Sequence, residues 1–190
     1  MEGDRATVLV VGDSFVDVHA GPIDALPSWG TNTVSPSPIV ALPGGAALNV
    51  ASGLHRLRGN TVLFSGIGRD PFGDVLRSHC TRLGLRLWEA TADETAPTGV
   101  CMVLSGPQDR AFCSHFGISD TFDAHELSRE ALAALQPELR HVHVAGFFSC
   151  SALRRSLPSF LRRARALGLT TSLDTNNDAS GRWGAPEPLL

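Results

Sequence analysis

Residues Ala6 to Gly12 run almost without a break through apolar side chains and end in Gly-Asp. A strand with one wet face alternates apolar and polar residues, so an unbroken run fits a strand buried on both faces. Helices must then cover both sides of its sheet, and the chain supplies them in alternation. Ala46 to Arg58 reads as a helix stopped by Gly59-Asn60, Thr61 to Ser65 as a strand, and Phe72 to Leu83 as a helix stopped by Gly84. Leu85 to Glu89 is a short strand. Further on, Ala124 to Leu135 reads as a helix, His141 to Ala145 as a strand, Ser151 to Leu167 as a long helix, and Leu169 to Leu173 as one more buried strand. This alternation predicts an α/β chain with a mostly parallel, helix-covered sheet.

Two segments break the alternation. Gly99 to Leu104 and Arg110 to Phe116 are short strands joined by Ser105-Gly106-Pro107-Gln108-Asp109, a hairpin turn by composition. With Thr33 to Ala41 they predict a smaller sheet outside the main one. The length, 190 residues, suits one domain or a large part of one. Net charge is −3 with Lys and Arg scattered, so no basic stripe points to nucleic acid. The arginines of Ser151 to Leu167 read as a solvated helix face. The start is acidic and polar, and Val8 to Val11 is too short for a signal core or a membrane span. The expectation is a cytoplasmic protein with no membrane partner.

Cys80, Cys101, Cys113 and Cys150 form no CxxC pair, so a zinc site is not expected. Cys101 and Cys113 could face each other across the hairpin; in a reducing compartment they read as free thiols. His141 and His143 share a face of their strand but lack a third ligand, and no metal site is predicted.

Chemistry concentrates in Pro43-Gly44-Gly45-Ala46-Ala47-Leu48-Asn49-Val50-Ala51. Two glycines let the backbone approach a ligand where a Cβ would clash. The helix that follows points its free N–H groups back toward them, and Asn49 lies on its first turns. In parallel sheets the ligand crevice lies beyond the carboxyl ends of the strands. Asp13 and Asp17 follow the first strand, and Asp174 ends the last. Such carboxylates serve as caps and turn formers, or accept hydrogen bonds from a polyhydroxylated ligand. Gly66-Ile67-Gly68 also follows a strand, but the third glycine of a dinucleotide fingerprint is Pro71 here, which argues against a nicotinamide or flavin site.

Asp17, Gly44-Gly45-Ala46-Ala47-Leu48-Asn49, Gly68-Arg69-Asp70-Pro71-Phe72-Gly73 and Thr98-Gly99-Val100 occur in an order and spacing that resemble the N-terminal part of the PfkB (ribokinase-like) carbohydrate and nucleoside kinases. The likeness runs from Val8 through Arg182, and Leu173 to Trp183 looks like the segment ending the family's first half. The resemblance implies a ribokinase-like αβα sandwich with a small β lid, truncated at its C-terminal side. Residues 1–190 would be a partial kinase domain with lid segments at about 18–41 and 98–116. It also implies ATP-dependent phosphorylation of a hydroxymethyl group on a sugar or nucleoside, with Mg2+. Carried over, Asp17 would accept hydrogen bonds from the acceptor's hydroxyls, Gly44 and Gly45 would give close backbone contacts, and Asn49 a side-chain contact. Asp13 is a further candidate on the same loop, and Phe112 or Phe116 would give the lid an apolar face. Ala46 stands where some ribose-specific members carry lysine, which speaks against a strict ribose assignment.

The family's catalytic aspartate lies in a Gly-Ala-Gly-Asp segment of the C-terminal half, and no such segment occurs in these 190 residues. The residues that organise ATP and magnesium also lie downstream. The tail from Gly184 to Leu190 reads as a loop. The expectation is therefore an acceptor-site half without the transfer machinery, inactive by itself, with an uncovered sheet edge that favours association. Two other readings stay open: a non-catalytic sugar-binding or regulatory protein, and a module that forms homodimers through its lid.

Overall fold

Thr7 to Gly12 form the strand that the apolar run predicts, and every side chain in it except Val8 is buried. The computed structural model describes residues 6–57, 59–90, 95–135 and 138–184. Its elements, in chain order, are β1 (Thr7–Gly12), β2 (Phe15–Ala20), β3 (Val40–Gly44), α1 (Ala46–Arg56), β4 (Asn60–Ser65), α2 (Pro71–Leu83), β5 (Arg86–Glu89), β6 (Gly99–Ser105) and β7 (Arg110–His115). Then come α3 (Ile118–Thr121), α4 (Arg129–Ala134), β8 (Leu139–Ala145), a 3-10 turn (Phe147–Ser149), α5 (Ser151–Ala166) and β9 (Thr170–Asp174). The end of the first predicted helix at Arg58 and the tail after Gly184 lie outside the described residues.

The main sheet has the order β5-β4-β1-β8-β9, and all its neighbours run parallel. Alternate side chains of β1 feed two cores. Leu9 and Val11, with Phe64, Val142 and Val144, pack against Leu153, Leu157, Phe160, Leu161 and Ala164 of α5. That spacing is the apolar stripe of an amphipathic helix. Truncating a fully buried ring such as Phe160 to alanine costs roughly 3–5 kcal/mol. On the other face Val10 and Leu63 pack against Ala47, Leu48 and Ala51 of α1 and Leu76 and Cys80 of α2.

A second sheet, β3-β2-β6-β7, stands beside the first, with β2 and β6 parallel and the outer pairs antiparallel. The predicted hairpin is present as β6 and β7. The sequence reading missed β2, although Phe15, Asp17 and His19 alternate with Val16, Val18 and Ala20 as a strand requires. The strand expected within Thr33 to Ala41 is instead Val40–Gly44; it tolerates Pro43 because it is the sheet's edge.

Other expectations need correction. The helix expected over Ala124 to Leu135 is only Arg129–Ala134, capped by Ser128, whose Oγ accepts from Ala131 N at 3.2 Å. Before it, Phe122, Ala124 and Leu127 fill the core from irregular backbone, and Arg163 of α5 donates to Ala124 O and Leu127 O at 3.3 and 3.4 Å. Arg163 therefore ties that loop to the core, and Arg154 lies over the Phe147 ring, so the arginines of α5 are not all solvated. β9 is an edge strand of alternating exposure rather than a buried one. Cys101 pairs in register with Ser114 and Cys113 with Met102, which puts the two cysteines on opposite faces; both are free. His141 and His143 bond Thr170 and Ser172 of β9, each at 2.7 Å, as part of the sheet.

Candidate active site

Asp17 sits in the middle of β2, and the register places Leu42 on one side of it and Cys101 on the other. Cys101 in turn opposes Ser114, and the pleat puts Asp17, Cys101 and Ser114 on one face of the small sheet. The Ser114 hydroxyl donates to Cys101 Sγ at 3.2 Å. Asp17 is half-buried with no hydrogen-bonding side chain of its own among the described contacts, and burial raises its carboxyl above the usual range, His19 partly opposing this. Phe116 packs edge-to-face on Phe15, centroids 6.0 Å apart, and the Arg110 guanidinium lies 5.6 Å above the Phe112 ring.

α1 starts at Ala46 as expected, but its first turn is not open as expected. Gly45, its N-cap, has φ 96° and ψ 143°, a conformation only glycine adopts comfortably. A Cβ there would lie 2.8 Å from Asp13 O and Ser14 Cα. Gly44 has no room either, because a Cβ would collide with the Asp17 carboxylate. The first-turn N–H groups of α1, however, are not free for a ligand. Ala47 N donates to Asp13 Oδ1 at 3.1 Å, Ala46 N also donates to that carboxylate, and Leu48 N donates to Asp13 O at 3.4 Å.

These pieces enclose a cleft of about 500 Å³. Of the sequence-predicted residues, Asp13, Asp17, Gly45 and Asn49 line it, with Phe112 and Phe116 above; Gly44 is buried behind Asp17 and does not. Asp174 stays outside: it ends β9 and its Oδ1 accepts from Asn176 N at 3.1 Å, a turn former. Sequence reading missed Cys101, Arg110, Ser114, Ser149 and the pair Asn176-Asn177, which also line the cleft. Parity with Asp17 identifies Cys101 and Ser114 once the register is known; Ser149 is brought in only by the turn after β8. A second hollow of about 450 Å³ at the hairpin tip shares only Arg110 with the cleft.

The Gly68 to Gly73 segment lines none of it. Gly68 N donates to Thr98 Oγ1 at 3.1 Å, Thr98 N to Asp70 Oδ2 at 2.7 Å, and Gly73 N to Asp70 Oδ1 at 2.8 Å. A Cβ at Gly68 would collide with Thr98 N. This motif is a clamp that fastens α2 to the start of β6. Among the described residues no three His, Cys, Asp or Glu side chains are grouped to hold a metal ion.

The chain matches the description pfkB family carbohydrate kinase over residues 6–180, and it belongs to that family. It is 32% identical over 108 residues to the adenosine kinase of Schizosaccharomyces pombe, an overlap of 55% of this chain and 32% of that protein. It is 31% identical over 141 residues to acarbose 7(IV)-phosphotransferase of Actinoplanes sp., covering 74% of this chain and 46% of the other. With the fructokinase of Escherichia coli the identity is 32%, over 56% and 31%. The chain thus spans less than half the length of these curated relatives. Among solved structures, a PfkB protein from Polaromonas sp. JS666 superposes with a TM-score of 0.76 at 20% identity, over 95% of this chain and 59% of that one. Fructokinase with bound ATP from Xylella fastidiosa gives 0.72 at 22%, over 97% and 56%. The fold is the ribokinase-like one, represented here by about half the length of those chains.

No described helix is long and apolar enough to cross a membrane.

Proposed function

We propose that the protein carrying this chain transfers a phosphoryl group to a hydroxyl of a sugar or nucleoside, and that these residues form the acceptor half of its site. The observation that carries the reading is Asp17: a half-buried carboxylate that opens on a cleft, with Asn49 and Gly45 on one wall and Phe112 and Phe116 on the lid. An ionised carboxylate accepts strong hydrogen bonds from vicinal hydroxyls, and the rings cover the apolar face of a pyranose, furanose or base. Gly45 lets the backbone come close, with Gly44 making room for Asp17. The lid is the small sheet, in the segments about 18–41 and 98–116.

Family membership implies ATP as donor and Mg2+ with it. The cleft does not suit a triphosphate, because Asp13 and Asp17 line it and Arg110 is the sole cation among its lining residues. The chain's own residues therefore bind and orient the acceptor and exclude water from it, while the donor-side chemistry falls outside them. On this reading the 190 residues alone bind without turnover. The four free thiols accord with a cytoplasmic protein.

Calorimetric titration of adenosine and D-fructose into the protein, with and without Asp17→Asn, tests the reading. Saturable binding of either that the substitution weakens supports it. Binding of neither, or binding indifferent to Asp17, refutes the acceptor site; unaltered self-association in that case would leave the lid as a dimerisation surface.

A further inference from the structure

Asp13 is 1% exposed, yet no cation is among the groups that act on its carboxylate. Its partners come from two separate stretches of chain. Ala47 N donates to Oδ1 at 3.1 Å, with Ala46 N donating as well, and both belong to the first turn of α1. The Ser149 hydroxyl donates from the turn after β8. Gly146 closes the cradle from below, since at φ 74° it has no side chain and a Cβ there would collide with the carboxylate. The same turn holds the next wall of the cleft: Phe148 N donates to Thr175 O at 3.4 Å, just before Asn176 and Asn177. Among the described residues, its other ionisable neighbours include the buried Cys150 thiol, Asp120 beyond it, and Asp17 across the cleft.

From this geometry we infer that Asp13 is a positioning residue for the acceptor: its carboxylate joins the wall that bears Gly45 and Asn49 to the wall that bears Ser149, Asn176 and Asn177. The inference rests on the acceptor-site reading for its purpose, but the joint itself is a feature of the fold. An ionised Asp13 accepts from both walls at once. A protonated one has a hydroxyl that competes with the donors facing it, so one wall is released. Burial pushes this carboxyl up to about 6, the hydrogen bonds from Ala47, Ser149 and Ala46 only partly opposing it. Release therefore falls within reach of ordinary cellular acidification, and acceptor affinity acquires a pH step at Asp13 in addition to the one from Asp17, whose carboxyl burial also raises.

The test uses the protein at its natural length, with adenosine and D-fructose as probes and amide NMR as a second readout. In the wild type, the Kd of the bound probe is expected to rise about tenfold between pH 7.5 and 5.5. The amides of Ala47 and Phe148, on the two walls, are expected to shift with one shared midpoint. Asp13→Asn should bind about tenfold more weakly at pH 7.5 and lose this step and the shared midpoint, while Asp17→Asn keeps the midpoint. If Asp13→Asn does not fold, Ser149→Ala should weaken binding about threefold, with Ser149→Thr restoring it. Superimposable pH profiles of wild type and Asp13→Asn, independent titration of the two amides, or no effect of Ser149→Ala would overturn the inference. If neither probe binds, the acceptor reading fails, and the amide titration still decides the joint on its own.

Discussion

Two helices lie side by side on the same face of the sheet, each preceded by glycines, and they are capped in opposite ways. α2 carries its own cap: Asp70 accepts from Gly73 N, Pro71 follows at the first helical position, and Gly84 ends the helix at φ 71°. α1 has no cap of its own, and the carboxylate that serves its first turn belongs to Asp13, over thirty residues earlier in the chain. The self-capped helix closes a clamp on Thr98 and lines no part of the cleft. The helix with the borrowed cap stands at the cleft, because its cap also had to reach Ser149 on the far wall. A local cap serves one helix; a cap taken from another loop also fixes where that helix sits.

The sharpest way to break this comparison is at Gly45. Gly45→Ala forces a side chain into a glycine-only conformation and against the backbone of Asp13 and Ser14. We expect a loss of about 3 kcal/mol in denaturant unfolding and a collapse of probe binding. A loss below about 1 kcal/mol would mean that α1 can start elsewhere, and that the borrowed cap is dispensable.

The two caps also predict opposite pH linkage. Asp13 rises from 3.8 to about 6 on folding, so the folded state binds its proton more tightly. Its contribution to stability is full below pH 4 and is lost as pH climbs through 6, by up to about 3 kcal/mol. Burial is the largest single influence on Asp70 and would raise it, but the hydrogen bonds from Thr98, Gly73 and Phe72 together outweigh it and hold the carboxyl below its usual value, so its contribution is present above pH 4 and lost on acidification. Unfolding curves between pH 4 and 7 should show Asp13→Asn removing a downward slope with rising pH and Asp70→Asn leaving that slope in place. Asp70→Ala, which also strips Thr98 N of its partner, should cost about 2 kcal/mol at pH 7 without changing the pH midpoint of the two amides at the cleft.

What the sequence disclosed divides along the same line. β1, α1, α2 and the β6–β7 hairpin were legible because period, Gly59-Asn60, Gly84 and Gly106-Pro107 act within a few residues of themselves. Asp17, Gly45 and Asn49 were legible as a motif and do meet at one cleft. β2 was missed because Asp17 and His19 interrupt its apolar residues, and the alternation they make is short. The helix over Ala124 to Leu135 was overextended because Phe122, Ala124 and Leu127 are buried for tertiary reasons, not for helical ones. The occupation of the α1 N-terminus by Asp13, and the arrival of Ser149 and Asn176, depend on the pairing of β1 with β8 and β8 with β9. Nothing within a window of the chain encodes such pairings.

The smallest expected effect separates the two carboxylates of the β1–β2 region most cleanly. Asp17 is reached by solvent and has no structural partner to lose, so Asp17→Asn should leave the unfolding midpoint within about 0.5 kcal/mol of wild type. The amide still accepts one hydrogen bond from a sugar hydroxyl but no longer as a charge, a change worth about 1 kcal/mol, or a roughly fivefold rise in Kd for the bound probe. Asp13→Asn, by contrast, should alter the pH dependence of stability and binding together. If Asp17→Asn destabilised the fold as much as it weakened binding, Asp17 would be a second structural carboxylate. Acceptor recognition would then have to be sought in Asn49 and the lid face alone.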